Sequence, residues 1–183
     1  MRVTRRTFLG MGAVTAAAGV FGLSACSNPA PAAPATPATP ARTFEVTHTE
    51  AQWQQQLSPA QYSVLRRKST ERPWSSPLNK EHRRGTFTCA GCALPLFSSS
   101  TKFDSGTGWP SFWAPLHDAV GEDRDTSYGM VRVEAHCRRC GGHLGHVFDD
   151  GPRPTGLRYC MNGVAMQFVA APDEMRVRVP QRT

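Results

Sequence analysis

The chain has 183 residues, enough for one domain of ordinary size with segments to spare. Its formal net charge is +7, but Arg2, Arg5 and Arg6 are the only charges before Cys26, and without them the balance is +4. The other basic residues are dispersed or stand in short groups (Arg66-Arg67-Lys68, Arg83-Arg84, Arg138-Arg139), which reads as solvated surface. No RNA- or DNA-binding motif accompanies them, so nucleic acid is not an expected partner.

Residues 1–25 look like an export signal. Thr4-Arg5-Arg6-Thr7-Phe8-Leu9 has the twin-arginine pattern, followed by a weakly apolar run from Gly10 to Leu23. That run is too short and too rich in Gly, Ala and Thr to span a membrane stably. Leu23-Ser24-Ala25-Cys26 resembles a bacterial lipobox, which would make Cys26 a lipidated first residue and hold the protein in the cell envelope. Residues 26–42 are almost wholly Pro, Ala and Thr, an extended tether of on the order of 50 Å at about 3.1 Å per residue. The folded domain is expected over residues 43–173, with a short tail over 174–183.

Thr49 to Leu57 reads as a short helix, with Thr49 as cap and Trp53 and Leu57 four residues apart. Ser58-Pro59-Ala60-Gln61 is a helix start, with Ser as N-cap, Pro at the first turn and Gln three residues on. From Gly85 onward the chain reads as short strands and loops. Thr86-Phe87-Thr88 leads into Cys89. Met130 to Ala135 alternates, with Val131, Val133 and Ala135 on one face and Arg132 and Glu134 on the other. Val164 to Val169 alternates with Val164, Met166 and Phe168 inward. No helices alternate with these strands, so a parallel sheet is not expected. The fold class is mainly β, a small antiparallel domain with short N-terminal helices.

Six cysteines are present. Cys89-Ala90-Gly91-Cys92 and Cys137-Arg138-Arg139-Cys140 are two Cys-x-x-Cys knuckles, the pattern of a tetrahedral four-cysteine zinc site. Four thiolates leave no position for substrate, so the zinc is expected to be structural. Disulfides are the competing reading for an exported protein. Twin-arginine export answers it, because folded protein crosses and zinc can bind first in the reducing cytoplasm. His136 reads as a packing or surface histidine, not a fifth ligand.

Cys160 is the candidate nucleophile. Thiolate character needs positive potential, which Arg158 and nearby histidines can provide. His143 and His146 can act as acid or base near neutral pH. Asp150 could orient one of them, and Asn162 can donate an amide hydrogen bond. Phe103 to Phe112 sets aromatics, Trp109 among them, between glycines and serines, as a shaped apolar pocket would. The competing reading is a zinc-ribbon-type binding module without catalysis. The export signal and the extra Cys160 argue against it.

The sequence resembles the B-type methionine sulfoxide reductases. The matching segments are Glu71-Arg72-Pro73, the two knuckles, Thr101 to Gly106, Gly108 to Phe112, Gly141 to Phe148, and Arg158 to Asn162, in family order across nearly all of residues 49–169. The resemblance implies two small antiparallel sheets, β-tent-like, with one structural zinc on Cys89, Cys92, Cys137 and Cys140, away from the active site. It implies reduction of the R epimer of methionine sulfoxide in oxidised proteins; a monomer is expected. Cys160 would attack the sulfoxide sulfur. His143, His146 and Asn162 would polarise or protonate the oxygen, with Asp150 and Arg158 in support. Trp109 would pack on the substrate methyl group, with Phe112 and Phe148 beside it. Many members carry a resolving cysteine where this chain has Thr107. The resemblance therefore implies recycling by an external thiol, from a thioredoxin-like protein or a small molecule.

Overall fold

The structure, a computed structural model, describes residues 43–172. The twin-arginine segment, Cys26, the proline-rich run and the tail from residue 174 lie outside the described residues.

Helix α1 (Glu50–Gln56) starts with a capping box: Thr49 accepts from the Gln52 amide while the Gln52 side chain accepts from the Thr49 amide. Helix α2 (Pro59–Arg67) repeats the device with Ser58 and Gln61, and Pro59 presets its first turn. Trp53, Leu57, Val64 and Leu65 are the buried residues of this pair. The helices are docked by polar ties as well. The Arg66 guanidinium lies over the Trp53 ring and donates to the Cys140 carbonyl at 3.0 Å. Helix α2 ends at Lys68, whose left-handed backbone (φ 55°) turns the chain away. Among the described residues no helix is long and apolar enough to cross a membrane.

Among the described residues nine short strands follow: β1 (Gly85–Cys89), β2 (Pro95–Ser98), β3 (Lys102–Phe103), β4 (Ser111–Phe112), β5 (Val120–Asp125), β6 (Arg132–Cys137), β7 (His143–Phe148), β8 (Arg158–Met161) and β9 (Met166–Ala170). They form a three-stranded sheet in the order β2-β1-β9 and a six-stranded sheet in the order β3-β4-β8-β7-β6-β5. Every pairing is antiparallel, as the strand-only pattern after Gly85 predicts. The sheets meet through aromatic rings. Phe112 of the larger sheet stacks on Phe97 with centroids 4.3 Å apart and meets Phe87 edge-on at 4.9 Å, and Tyr159 lies 5.9 Å from Phe97. Phe87, Phe97 and Phe112 are fully buried. Each such side chain contributes roughly 1.5–3 kcal/mol over an exposed one.

The alternation of β6 holds, but its apolar residues are not all in the core. Val131 and Val133 are 69% and 41% exposed, whereas Glu134 is 5% exposed. The core lies behind β4 and β8, so the end of the sheet at β5 and β6 leaves its valines in water. The opposite face, where Glu134 points, is closed by the end of α2. Glu134 is therefore buried on this strand together with Ala135 and Cys137, while Val133 is not.

Candidate active site and metal centre

Strand β8 runs between β4 and β7, and the registers place Ser111 opposite Cys160 on one side and His146 opposite it on the other. The row continues to Glu134 on β6 and Asp123 on β5. Directly opposed residues share a face, so one transverse line carries the cysteine, a histidine and a carboxylate. His143 is three positions from His146 and would point to the other face of a regular strand. The pairing shifts between Ala135 and His136, leaving Leu144 as the extra residue of a β-bulge. The bulge re-aims His143, and the two imidazoles meet edge-on with centroids 5.3 Å apart. Gly145 sits between them because a Cβ there would come within 2.1 Å of the Cys160 carbonyl oxygen.

Each histidine is backed by a carboxylate and a cation. His143 Nδ1 lies 2.8 Å from Glu134 Oε1, and Lys68 Nζ donates to Glu134 Oε2 at 2.6 Å. Burial opposes the Glu134 charge, but His143 and Lys68 together bring its carboxyl down to about 2. His146 Nε2 lies 2.7 Å from Asp125 Oδ2, which also accepts from Arg132 at 2.7 Å. The Ser127 hydroxyl and amide, with His146, hold Asp125 well below the usual carboxylate range. Burial pushes His146 down, with Asp125 opposing, so the neutral ring is favoured. His143 Nε2 is buried and has no hydrogen-bond partner among the described residues. A buried ring nitrogen without a partner is costly unless something else fills the place. A cleft of about 820 Å³ between the end of α2 and the β5–β6 hairpin reaches both histidines.

Cys160 is half-buried. Burial raises its thiol above the ordinary value, while the Thr107 hydroxyl, the Arg158 guanidinium and the Ser111 hydroxyl pull the other way. Thr107 Oγ1 is 3.8 Å from the sulfur. The Arg158 guanidinium carbon lies 4.3 Å from the centre of the Phe148 ring, and Asp150 grips the group through two bonds of 2.8 Å.

The four knuckle cysteines are free, and their sulfurs all lie within 4.8 Å of one another. Cys89 and Cys140 sulfurs are 3.7 Å apart, Cys92 and Cys137 sulfurs 3.5 Å. These spacings are too long for a disulfide. They fit a tetrahedron of Zn–S bonds of about 2.3 Å, whose edges measure roughly 3.8 Å. The donor set therefore fits zinc. Cys89 ends β1 and Cys137 ends β6, so a metal held here joins the two sheets. None of the four lies in the Cys160 row.

Residues 57–170 match the SelR domain. The chain belongs to this family. Relatives named peptide methionine sulfoxide reductase MsrB align over most of their length. The one from Bradyrhizobium diazoefficiens is 56% identical over 125 residues, covering 68% of this chain and 90% of its own. That from Leptospira interrogans is 51% identical over 126 residues, covering 68% and 96%. That from Thiobacillus denitrificans is 57% identical over 121 residues, covering 66% and 92%. The family is one of oxidoreductases, and the chain is an MsrB-type reductase by membership.

For this MsrB-type chain, the site residues expected from the sequence fall into two groups. Cys160, His146, His143, Arg158 and Phe148 come together on strands β7 and β8. Three others are placed differently from expectation. Asp150 does not orient a histidine; it pairs with Arg158, and Glu134 and Asp125 take the histidines. Phe112 has no exposed surface and belongs to the aromatic core, because its strand position faces the smaller sheet. Asn162 is 3% exposed and spends its side chain on structure, donating to the Leu144 carbonyl at 3.0 Å and accepting from the Glu71 amide at 2.9 Å. Trp109 is half-buried, with its indole N–H donating to the Glu71 carbonyl at 3.1 Å. Glu71 also receives the Gly163 and Val164 amides on its carboxylate at 2.6 and 3.0 Å. Burial raises its pKa, and these two amides oppose the rise. One residue thus fixes Trp109, Asn162 and the turn after β8. Sequence reasoning missed Glu134 and Asp125 as partners of the histidines, and Lys68 and Arg132 as partners of those carboxylates. The only signal available was the polar face of β6.

Proposed function

We propose that the chain reduces the R epimer of methionine sulfoxide in oxidised proteins, with Cys160 as nucleophile. The observation that carries this reading is the row Ser111–Cys160–His146, beside the buried, unpartnered Nε2 of His143. A sulfoxide sulfur is weakly electrophilic because the departing oxygen would carry charge. Attack becomes feasible when an acid meets that oxygen as the thiolate meets the sulfur. The histidines, with Glu134 and Asp125 behind them, are the polarising groups in this reading. Trp109 and the Phe148 ring supply the apolar side of the pocket for the substrate methyl group.

The net step moves one oxygen. The S–O bond of the substrate breaks and an S–O bond forms on Cys160. Methionine sulfur is reduced by two electrons and Cys160 is oxidised by two, ending as a sulfenic acid that holds the thiol proton. An external thiol then condenses with it, losing water, and a second thiol releases Cys160 from the mixed disulfide. The thiols come from a thioredoxin-like protein or a small molecule. Zinc, held by the four knuckle cysteines, supplies rigidity and no chemistry. The twin-arginine pattern and the lipobox at Cys26 support a working place in the cell envelope, with residues 26–42 as a tether from a lipid anchor.

Purified protein incubated with each epimer of a methionine sulfoxide peptide and dithiothreitol tests this. The R epimer alone should yield methionine, and Cys160→Ser should abolish the yield. Consumption of the S epimer, or of neither, would sink the reading.

A further inference from the structure

Cys160 is the end of a chain of hydroxyls. Thr107 Oγ1 lies 3.8 Å from its sulfur, Ser105 Oγ lies 2.8 Å from Thr107 Oγ1, and Ser111 Oγ lies 2.7 Å from Ser105 Oγ. Ser111 Oγ then donates to the Trp109 carbonyl at 3.1 Å. We propose that Thr107, Ser105 and Ser111 act as a directed hydroxyl chain that stabilises the Cys160 thiolate by reversing its direction when the sulfur loses its proton.

The direction follows from counting protons. A hydroxyl has one proton to give and can accept more than one bond, and a carbonyl can only accept. With Ser111 donating to the Trp109 carbonyl, Ser105 donates to Ser111 and Thr107 donates to Ser105. The thiol then donates to Thr107, and every proton has a place. When Cys160 ionises, its proton leaves to water. No hydroxyl loses a proton. The three rotate, so that Thr107 donates to the sulfur, Ser105 to Thr107 and Ser111 to Ser105. The bond given up is the one from Ser111 to the Trp109 carbonyl, the longest of the oxygen–oxygen links. In exchange the sulfur gains a hydrogen bond to a charged acceptor, which is stronger than one between neutral groups.

The other polar groups around the sulfur do not do this work alone. Arg158 lies two residues away on β8 but is gripped by Asp150 through two bonds. His146 lies opposite on β7 and is committed through Nε2 to Asp125. The position of Thr107 is one at which the sulfur finds a donor that is not already neutralised by a carboxylate. This inference rests on Cys160 being the nucleophile of the proposed function, and its test does not use the sulfoxide.

The test is the pH profile of Cys160 alkylation by iodoacetamide in the reduced, zinc-loaded full chain, followed by mass spectrometry of the Cys160 peptide. Thr107→Val, which keeps the shape and removes the donor, should raise the midpoint by about one pH unit. It should slow alkylation near neutral pH on the order of tenfold. Thr107→Ser should return the midpoint to the wild-type value, which a merely structural role for the methyl group would not do. Ser105→Ala breaks the chain one link further from the sulfur and should give a smaller rise. A Thr107→Val profile that superimposes on wild type overturns the proposal, as does a rise that Thr107→Ser fails to reverse. If Thr107→Val does not fold, Ser105→Ala decides alone, and an unshifted midpoint there overturns it. Because alkylation needs no turnover, a failure here is distinguishable from a failure of the reductase reading.

Discussion

His143 presents its Nδ1 to Glu134 Oε1 at 2.8 Å, deep beneath the end of α2. His143 and Lys68 together hold the Glu134 carboxylate charged, so Nδ1 carries the proton toward it and Nε2 is left buried without a partner among the described residues. The tautomer of this ring is thereby set by a strand two places from Cys160 and by the residue that ends a helix.

Glu134→Gln should lower kcat/KM. An amide cannot stabilise the protonated ring that gives its proton to the substrate oxygen. Acid–base assistance of this kind is worth on the order of 100-fold or more, and weakening one support should cost on the order of tenfold. Steady-state assays with the R-sulfoxide would show it. Unchanged kinetics would leave Glu134 a structural residue only.

Stability should fall in acid, and the sign follows from Glu134. Its ordinary value is 4.5 and its folded value about 2, so the folded state favours the charged form. That contribution is fully present above pH 4.5 and is lost as pH falls toward 2. Asp125, also held low, acts in the same direction. Thermal denaturation at a series of pH values should show the loss, and Glu134→Gln should flatten it.

Asn162→Ala should destabilise the domain rather than change the thiol. It removes the acceptor of the buried Glu71 amide and a donor to the Leu144 carbonyl. Leaving such a group unpaired costs about 1–3 kcal/mol. A lowered melting temperature with an unaltered Cys160 alkylation profile is the expected pair of results.

Removing the metal should open the join between the sheets. A structural zinc contributes on the order of 10 kcal/mol of apparent folding energy. Cys89→Ser and Cys140→Ser should give insoluble or metal-free protein, read by zinc analysis and circular dichroism. A well-folded, active variant without zinc would contradict a structural role.

Thr107→Cys should create a resolving cysteine. The Thr107 hydroxyl is already 3.8 Å from the Cys160 sulfur, and the flanking Gly106 and Gly108, both at positive φ (70° and 92°), lie on a loop that few side chains could follow. After one turnover without reductant, mass spectrometry of the wild type should show a single added oxygen or an external thiol adduct. The variant should show a disulfide between residues 107 and 160. A native internal disulfide to Cys160 in the wild type would overturn the external-thiol route.

Local features were legible because their causes are local. Both capping boxes are signalled within four residues, and the four-cysteine cluster by the two-residue spacing that lets a pair of sulfurs face one ion. The tertiary structure decided what those residues face. Strand registers chose Glu134 and Asp125 over the sequence-adjacent Asp150 as partners of the histidines, because pairing brings together residues far apart in the chain. The extra residue at Leu144 turned His143 to the side of His146, which a period of two would forbid. Alternation placed Val133 and Glu134 on opposite faces of β6, and the registers then put Phe112 on the side of Val133 and Glu134 on the side of Cys160. Only the packing of the second sheet and of α2 decided that one face is the aromatic core and the other a buried polar site.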